Sequence, residues 1–415
     1  MTTATMYAGI DWSDAWLDCA VIRRDGTRLG HTRIAYEETQ DPVGEYVDFL
    51  RGHNRTRWGR IPTAIESPSI LFVDELLARG MTVIHVDPTI AARARKAAST
   101  GGQEKKSDRE DAFLLADMIR QHPFAPLVRS SPQVRALRVL AHAQSVAAHS
   151  RSRALLRLRA VLKGYHPAAV SAWPSAGLGH PQARAVLAIA PSPTAASLLN
   201  REEIAEALRR AGRERAVDDE AHRIRLHFRR PVLRAHPAVE DAKAVEMLAL
   251  LEEVNGACDR ATRLAQQSAE AFRGHPHYPY VVSFPGIGDL LGAQILGEIG
   301  DIEGRFTARG LCAYAGMTPA TWSSGTVTRT SVRRAVNKNL RQALTNAAFT
   351  SLSHSPGANA YYRARRERGS AHFTSLRAVG ARIARCLHYC LRHQVLYDEI
   401  MAWDLGSPAP SPARS

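Results

Sequence analysis

Within the first 120 residues the apolar positions keep changing period, from alternation to helical spacing and back. Alternating or continuous apolar runs predict strands at 6–11, 16–23 and 29–35, the last two joined by Arg24-Asp25-Gly26-Thr27, where Asp-Gly is a hairpin signature. The pattern then predicts a helix over 42–52, a strand at 61–66, a helix at 69–79, a strand at 82–86 and a helix at 88–98. A polar loop, Gly101-Gly102-Gln103-Glu104-Lys105-Lys106, leads into a helix that opens at Asp108 and closes near Gln121-His122-Pro123. Three hairpin-connected strands followed by alternating helices and strands predict a mixed sheet flanked by helices.

Beyond Ser130 the pattern is long and helical. Val134, Leu137 and Leu140, then Leu155, Leu158, Val161 and Leu162, predict one extended helix; Met247, Leu248, Leu250, Leu251, Val254 and Leu264 predict a second over 238–272. Between them, at about 167–235, lies an insertion rich in Pro, Ala, Ser and Gly near its start, with a small helical module at 201–230. Two long helices around an insertion predict an antiparallel coiled-coil arm, suited to dimerisation, and fit a plain helical bundle as well. The fold class expected is therefore α/β plus α. The expected domains are 1–130, a metal-binding α/β domain; 131–275, the arm with its insertion; 276–404, a mainly helical C-terminal domain; and 405–415, a disordered Pro-rich tail.

Composition narrows the partners. The chain has 415 residues, 45% of them hydrophobic, which suits full-sized cores and excludes wholesale disorder. No apolar run reaches the length of a membrane span and no signal peptide opens the chain, so a cytoplasmic protein without a membrane partner is expected. A formal net charge of +15 favours a polyanionic partner, because neutralising phosphates releases counterions. The five cysteines form no Cys-x-x-Cys pair; Cys386, Cys390 and His393 share a helix face without a second ligand cluster, so buried reduced thiols are expected.

Against that basic background, Asp11 and Glu66 end apolar strands, and Asp108 and Asp111 stand three apart at a helix start. Carboxylate oxygens are the donors magnesium takes, and two such ions about 4 Å apart can hold the attacking and leaving oxygens of a phosphodiester. Asp87 ends a strand in the same domain and is a rival ligand, whereas Asp14 and Asp18 are expected to be aimed elsewhere. Arg151, Arg153, Arg157, Arg159 and Lys163 stud the first long helix, either as a solvated face or as phosphate contacts. Pro285-Gly286-Ile287-Gly288 reads as a glycine hairpin opening a helix, which serves either a DNA backbone or a tight interhelical turn. Ser324, on a Gly-flanked loop followed by Arg329, Arg333, Arg334, Lys338 and Arg341, is suited either to phosphoryl transfer, since a hydroxyl can attack phosphorus while guanidinium groups stabilise its oxygens, or to a plain connecting loop.

In combination these pieces resemble the IS one-ten family of bacterial insertion-sequence transposases. The resemblance rests on Tyr7-Ala8-Gly9-Ile10-Asp11, Ile65-Glu66-Ser67, Lys106-Ser107-Asp108-Arg109-Glu110-Asp111-Ala112, Pro285-Gly286-Ile287-Gly288, and Ala315-Gly316-Met317-Thr318-Pro319 with Ser324-Gly325. It implies a RuvC-like N-terminal domain whose four acids are Asp11, Glu66, Asp108 and Asp111, and a C-terminal transposase domain whose nucleophile is Ser324, with Ser323 beside it. It also implies an RNA-guided recombinase with magnesium, target and donor DNA, a structured bridge RNA, and a homo-oligomer in which dimers assemble into tetramers. A metal-dependent nuclease of the Holliday-junction resolvase type is the alternative, and a non-catalytic nucleic-acid-binding protein a further one.

Overall fold

A computed structural model describes residues 4–13, 15–67, 71–98, 107–128, 130–174, 177–302, 306–324, 327–331, 333 and 336–403, side chains apart at 98 and 320–331. The Gly101–Lys106 loop, Asp14, Arg334 and the tail from 405 lie outside these residues. The chain forms two compact units, Met1–Arg129 and Ser130–Ser415.

In the first unit, β1 (Met6–Trp12), β2 (Trp16–Arg23) and β3 (Arg28–Ala35) run antiparallel, while β4 (Thr63–Ile65) and β5 (Val83–His85) lie parallel to β1, giving the sheet order β3-β2-β1-β4-β5. Strand alternation sorts the side chains onto two faces. Ala8, Ile10, Leu17, Cys19, Val21 and Ile34 pack with Tyr46 and Leu50 of α1 (Pro42–His53) and Phe72 and Leu76 of α2 (Leu71–Ala78). On the opposite face Ala20 and Ile22 pack against Ala112, Phe113 and Ala116 of α4 (Asp108–Gln121), and Ala64 and Ile84 against Ala91 of α3 (Pro88–Ala98) and Leu115 of α4.

Gly9 is what lets α4 lie so close. A Cβ there would stand 2.0 Å from the Ala112 carbonyl oxygen and 2.6 Å from the Ala116 nitrogen, so no side chain fits between β1 and the helix. The strand expected over 61–66 is shorter. Pro62 brings no N–H to the ladder, Ile61 N–H is turned back to the Trp58 carbonyl, and the strand ends at Ile65, which leaves Glu66 just past its end.

In the second unit α5 (Pro132–Tyr165) and α11 (Pro237–Arg273) pair antiparallel. Leu137 and Ala141 share a core with Phe272, while Leu158 and Leu162 share another with Met247 and Leu251. The insertion is helical: α6 to α10 (Pro167–Ala172, Pro181–Ile189, Pro193–Leu198, Arg201–Arg210 and Val217–Phe228) bury Trp173, Leu187, Ile204, Leu208 and Phe228 against the second of these cores. The C-terminal part holds α12 (Tyr278–Val282), α13 (Asp289–Ile299), α14 (Ala308–Tyr314), the hairpin β6 (Ala320–Ser324) and β7 (Val327–Ser331), then α15 (Lys338–His354), α16 (Pro356–Glu367), α17 (His372–His393) and α18 (Glu399–Trp403).

One buried acid ties α5, α13 and the start of α15 together. Glu298 of α13 accepts hydrogen bonds from Asn337 (2.6 Å) and Asn339 (3.2 Å) and pairs with His142 and Arg138 of α5. Asn337 in turn caps α15 by accepting from the Leu340 N–H at 2.9 Å. All five cysteines are unbridged, and among the described residues no helix is long and apolar enough to cross a membrane.

Candidate active site

The parallel pairing of β1 with β4 aligns Ile10 with Ile65, so the next residues along are Asp11, one short of the end of β1, and Glu66, just past the end of β4. The carboxyl ends of parallel strands are where α/β sheets place ligands, because the connecting helices leave a crevice there. Gly9 holds α4 against the same strand, and the first turn of α4 carries Asp108 and Asp111. Asp111 is buried; Asp108 is half exposed, with Arg33 Nη2 at 3.9 Å.

The carboxylates act on one another. Burial, then the charges of Asp111, Asp108 and Glu66, push the Asp11 carboxyl up to about 6, with Arg95 pulling the other way. Arg95 of α3 reaches into the group: its Nε donates to Asp111 Oδ1 at 2.8 Å, and its terminal nitrogen pairs with Glu66. As the side chains stand, no three His, Cys, Asp or Glu groups among the described residues form a ready ligand set, and Arg95 ties up two of the four acids. The donor chemistry nevertheless fits magnesium: four carboxylates, no softer ligand, and a mutual repulsion that a divalent cation relieves.

Three neighbours were not assigned to this site from sequence. The antiparallel register places Asp18 directly opposite Asp11, hence on the same face of the sheet, which corrects the expectation that it is aimed elsewhere. Asp18 is buried, with His31 Nε2 at 2.7 Å and Arg33 Nε donating at 3.0 Å. The tight turn at Ser13–Trp16 carries the signal, since a hairpin closing there pairs residue 11 with 18. Arg33 thus stands between Asp18 and Asp108. Arg95 had no sequence signal beyond its helix. Asp87, the rival ligand, accepts from the Thr89 N–H at 2.8 Å as it starts α3, and the Thr89 hydroxyl, then that N–H, hold its carboxyl below the usual range.

In the second unit Ser324 is the last residue of β6, paired with Val327 across the hairpin, and Ser323 pairs with Thr328. A strand end replaces the loop expected there, and Arg329 stands on β7 opposite Trp322. Arg333 and Lys338 are exposed and Arg341 is half-buried, while Arg334 and Gly325 lie outside the described residues.

On α5, Arg151, Arg153, Arg157 and Lys163 are exposed and Arg159 is half-buried. Arg157 pairs with Glu253 of α11 at 2.9 Å, so that guanidinium already has a partner. Gly286 has φ +81°, and a Cβ there would meet the Thr350 backbone at 2.9 Å; close packing accounts for this glycine without a phosphate. Gly288 is exposed, but Asp289, which follows it, fills the start of α13 with an acid paired to Arg273.

Comparison with known proteins adds the family. A DEDD transposase model of the IS110 (one-ten) kind matches residues 8–167, and a model described as Transposase IS116/IS110/IS902 family matches residues 279–363. The IS117 mini-circle transposase of Streptomyces coelicolor is 39% identical over 406 residues, covering 96% of this chain and 97% of the relative. The 44.8 kDa protein of insertion element IS116 from Streptomyces clavuligerus is 28% identical, over 94% of this chain and 96% of its own length. The 42 kDa protein of IS900 from Mycobacterium paratuberculosis is 26% identical, over 94% and 97%. The chain belongs to the IS110 family of insertion-sequence transposases.

Proposed function

We propose that this transposase is an RNA-guided DNA recombinase that cuts and rejoins strands with a metal-bound carboxylate site and a serine nucleophile. The observation that carries the reading is the meeting of Asp11 and Glu66, at the ends of paired strands, with Asp108 and Asp111 of α4, where burial and then the three other acids push the Asp11 carboxyl up to about 6. Acids brought that close in a basic chain serve a cation better than they serve the fold. Asp11, Glu66, Asp108 and Asp111 would hold magnesium. Bound there, two ions would supply Lewis-acid stabilisation of the attacking and leaving oxygens.

Ser324 supplies the hydroxyl. A bond forms between its Oγ and phosphorus as the strand P–O bond breaks, and the departing strand oxygen takes up the proton that serine gives up. A hydroxyl of the receiving strand then attacks the phosphoserine and frees Ser324. Phosphodiesters are conserved in number, so joining needs no external energy source. Arg329, Arg333 and Arg334 are phosphate clamps in this scheme, with Lys338 and Arg341 behind them.

The +15 charge and the exposed Arg151, Arg153 and Lys163 support polyanion contact along the arm, where target DNA, donor DNA and the bridge RNA would meet it. Exposed Val139, Val146 and Leu156 on α5 and Val245 on α11 support a further copy of the chain, with dimers assembling into tetramers. Ser324→Ala should abolish a covalent protein–DNA adduct trapped on denaturing gels. An adduct that survives, or hydrolysed ends in place of rejoined strands, would favour a resolvase-type nuclease and end the serine assignment.

A further inference from the structure

Arg95 is the one cation bonded to two of the four acids in the described structure. It spans Glu66 and Asp111, with its Nε at 2.8 Å from Asp111 Oδ1, and its side chain is 29% exposed against 7% for Asp111. A guanidinium's fork can take two carboxylates from different elements at once, which an ammonium cannot. Glu66 and Asp111 are therefore engaged by Arg95 at the oxygens a metal needs.

Charge decides what happens when metal arrives. Four carboxylates carry four negative charges, which two divalent cations would match. Arg95 is then left beside a neutralised cluster with a charge to satisfy, in a cleft that a singly negative phosphodiester enters. A cation this close to a desolvated partner gains several times what it gains in bulk water.

We propose that Arg95 is a shared counter-cation: it clasps Glu66 and Asp111 in the metal-free protein, is displaced by divalent metal, and then binds a phosphate of the nucleic-acid strand at this site. The inference rests on the carboxylate metal site proposed above, and the test separates the two. Manganese is titrated calorimetrically into the full-length protein without DNA, and binding of duplex DNA is measured with and without calcium, which occupies such sites without supporting chemistry.

Asp111→Asn decides the underlying reading. If it weakens manganese binding by about tenfold or more, the acids hold the metal; if it leaves the affinity unchanged, the metal site and the role of Arg95 fall together. With the site established, Arg95→Gln should bind manganese about five- to tenfold more tightly than the parent, because a competing charge is gone. It should also lose most of the DNA affinity that calcium adds to the parent. Weaker or equal manganese binding by a folded Arg95→Gln protein makes Arg95 a mere strut and overturns the proposal, as does an undiminished calcium-dependent gain in DNA affinity. Should the glutamine variant not fold, Arg95→Lys, whose ammonium clasps one carboxylate at a time, should shift manganese affinity in the same direction, and an unchanged value has the same overturning force.

Discussion

At the residue scale, Asp11 carries a pH signature. Its folded value of about 6 lies above the ordinary 3.8, so the stability it contributes is full below pH 3.8 and is lost as pH rises through 6. In EDTA, Asp11→Asn should therefore raise the melting temperature of the first unit at pH 7.5 more than at pH 4.5. A melting difference that does not grow with pH would mean that charge crowding at Asp11 is not the cause. His166 gives the opposite sign in the second unit. It is fully buried between Tyr165 and Phe228, and burial pulls it from 6.5 to about 4, with the Ala190 backbone pulling the other way. Its contribution is full above pH 6.5 and is lost as pH falls toward 4, because the unfolded chain takes up the proton first. His166→Phe should flatten the loss of stability between pH 6.5 and 4.5 in a calorimetric series, and an unchanged slope would assign that acid lability elsewhere.

At the scale of elements, the strands and helices of the first unit follow the apolar pattern because burial on two faces of one sheet dictates it. Ala8 and Ile10 point one way, Gly9 and Asp11 the other, and a period of two says so without coordinates. The sequence could not show how near α4 lies. That distance is set by backbone atoms meeting backbone atoms over Gly9, and no hydrophobic pattern encodes it. Nor could it show Arg95, whose bond to Asp111 spans sixteen positions of chain and whose helix spacing looks like any solvated face. The strand pair at Ser324 escapes the apolar pattern for a different reason: two five-residue strands rich in Ser and Thr carry no apolar alternation of their own. Asp18 is legible in the hairpin register, which pairs it with Asp11, whereas the pleat counted along one strand alone aims it elsewhere. Gly9→Ala tests the close approach. With no room for a methyl, it should cost at least about 3 kcal/mol by denaturant melts and should displace α4 from Asp11. A loss under about 1 kcal/mol would mean the contact relaxes easily. Asn337→Ala removes both the α15 cap and a Glu298 partner, and should cost about 2 kcal/mol or more.

At the scale of the whole molecule, the cores divide as the units do. The hydrophobic clusters of the sheet draw only on residues between 6 and 124 in their buried members and their packed neighbours, with Leu127 as the one later contributor, and the clusters of the helical unit draw only on residues from 137 onward. A unit that buries its own apolar faces has the enthalpy and the solvent entropy to fold without the other. All four acids and Arg95 lie in the first unit, whereas Ser324 lies in the second, so the two halves of the proposed chemistry are separable by chain cleavage. A fragment of residues 1–129 should therefore melt cooperatively and bind manganese with an affinity within about threefold of the intact chain, a difference under 1 kcal/mol. It should form no covalent adduct with DNA, having no serine from the hairpin. If the fragment folds by circular dichroism but has lost manganese binding, the metal site draws on the second unit and the carboxylates of the first do not suffice.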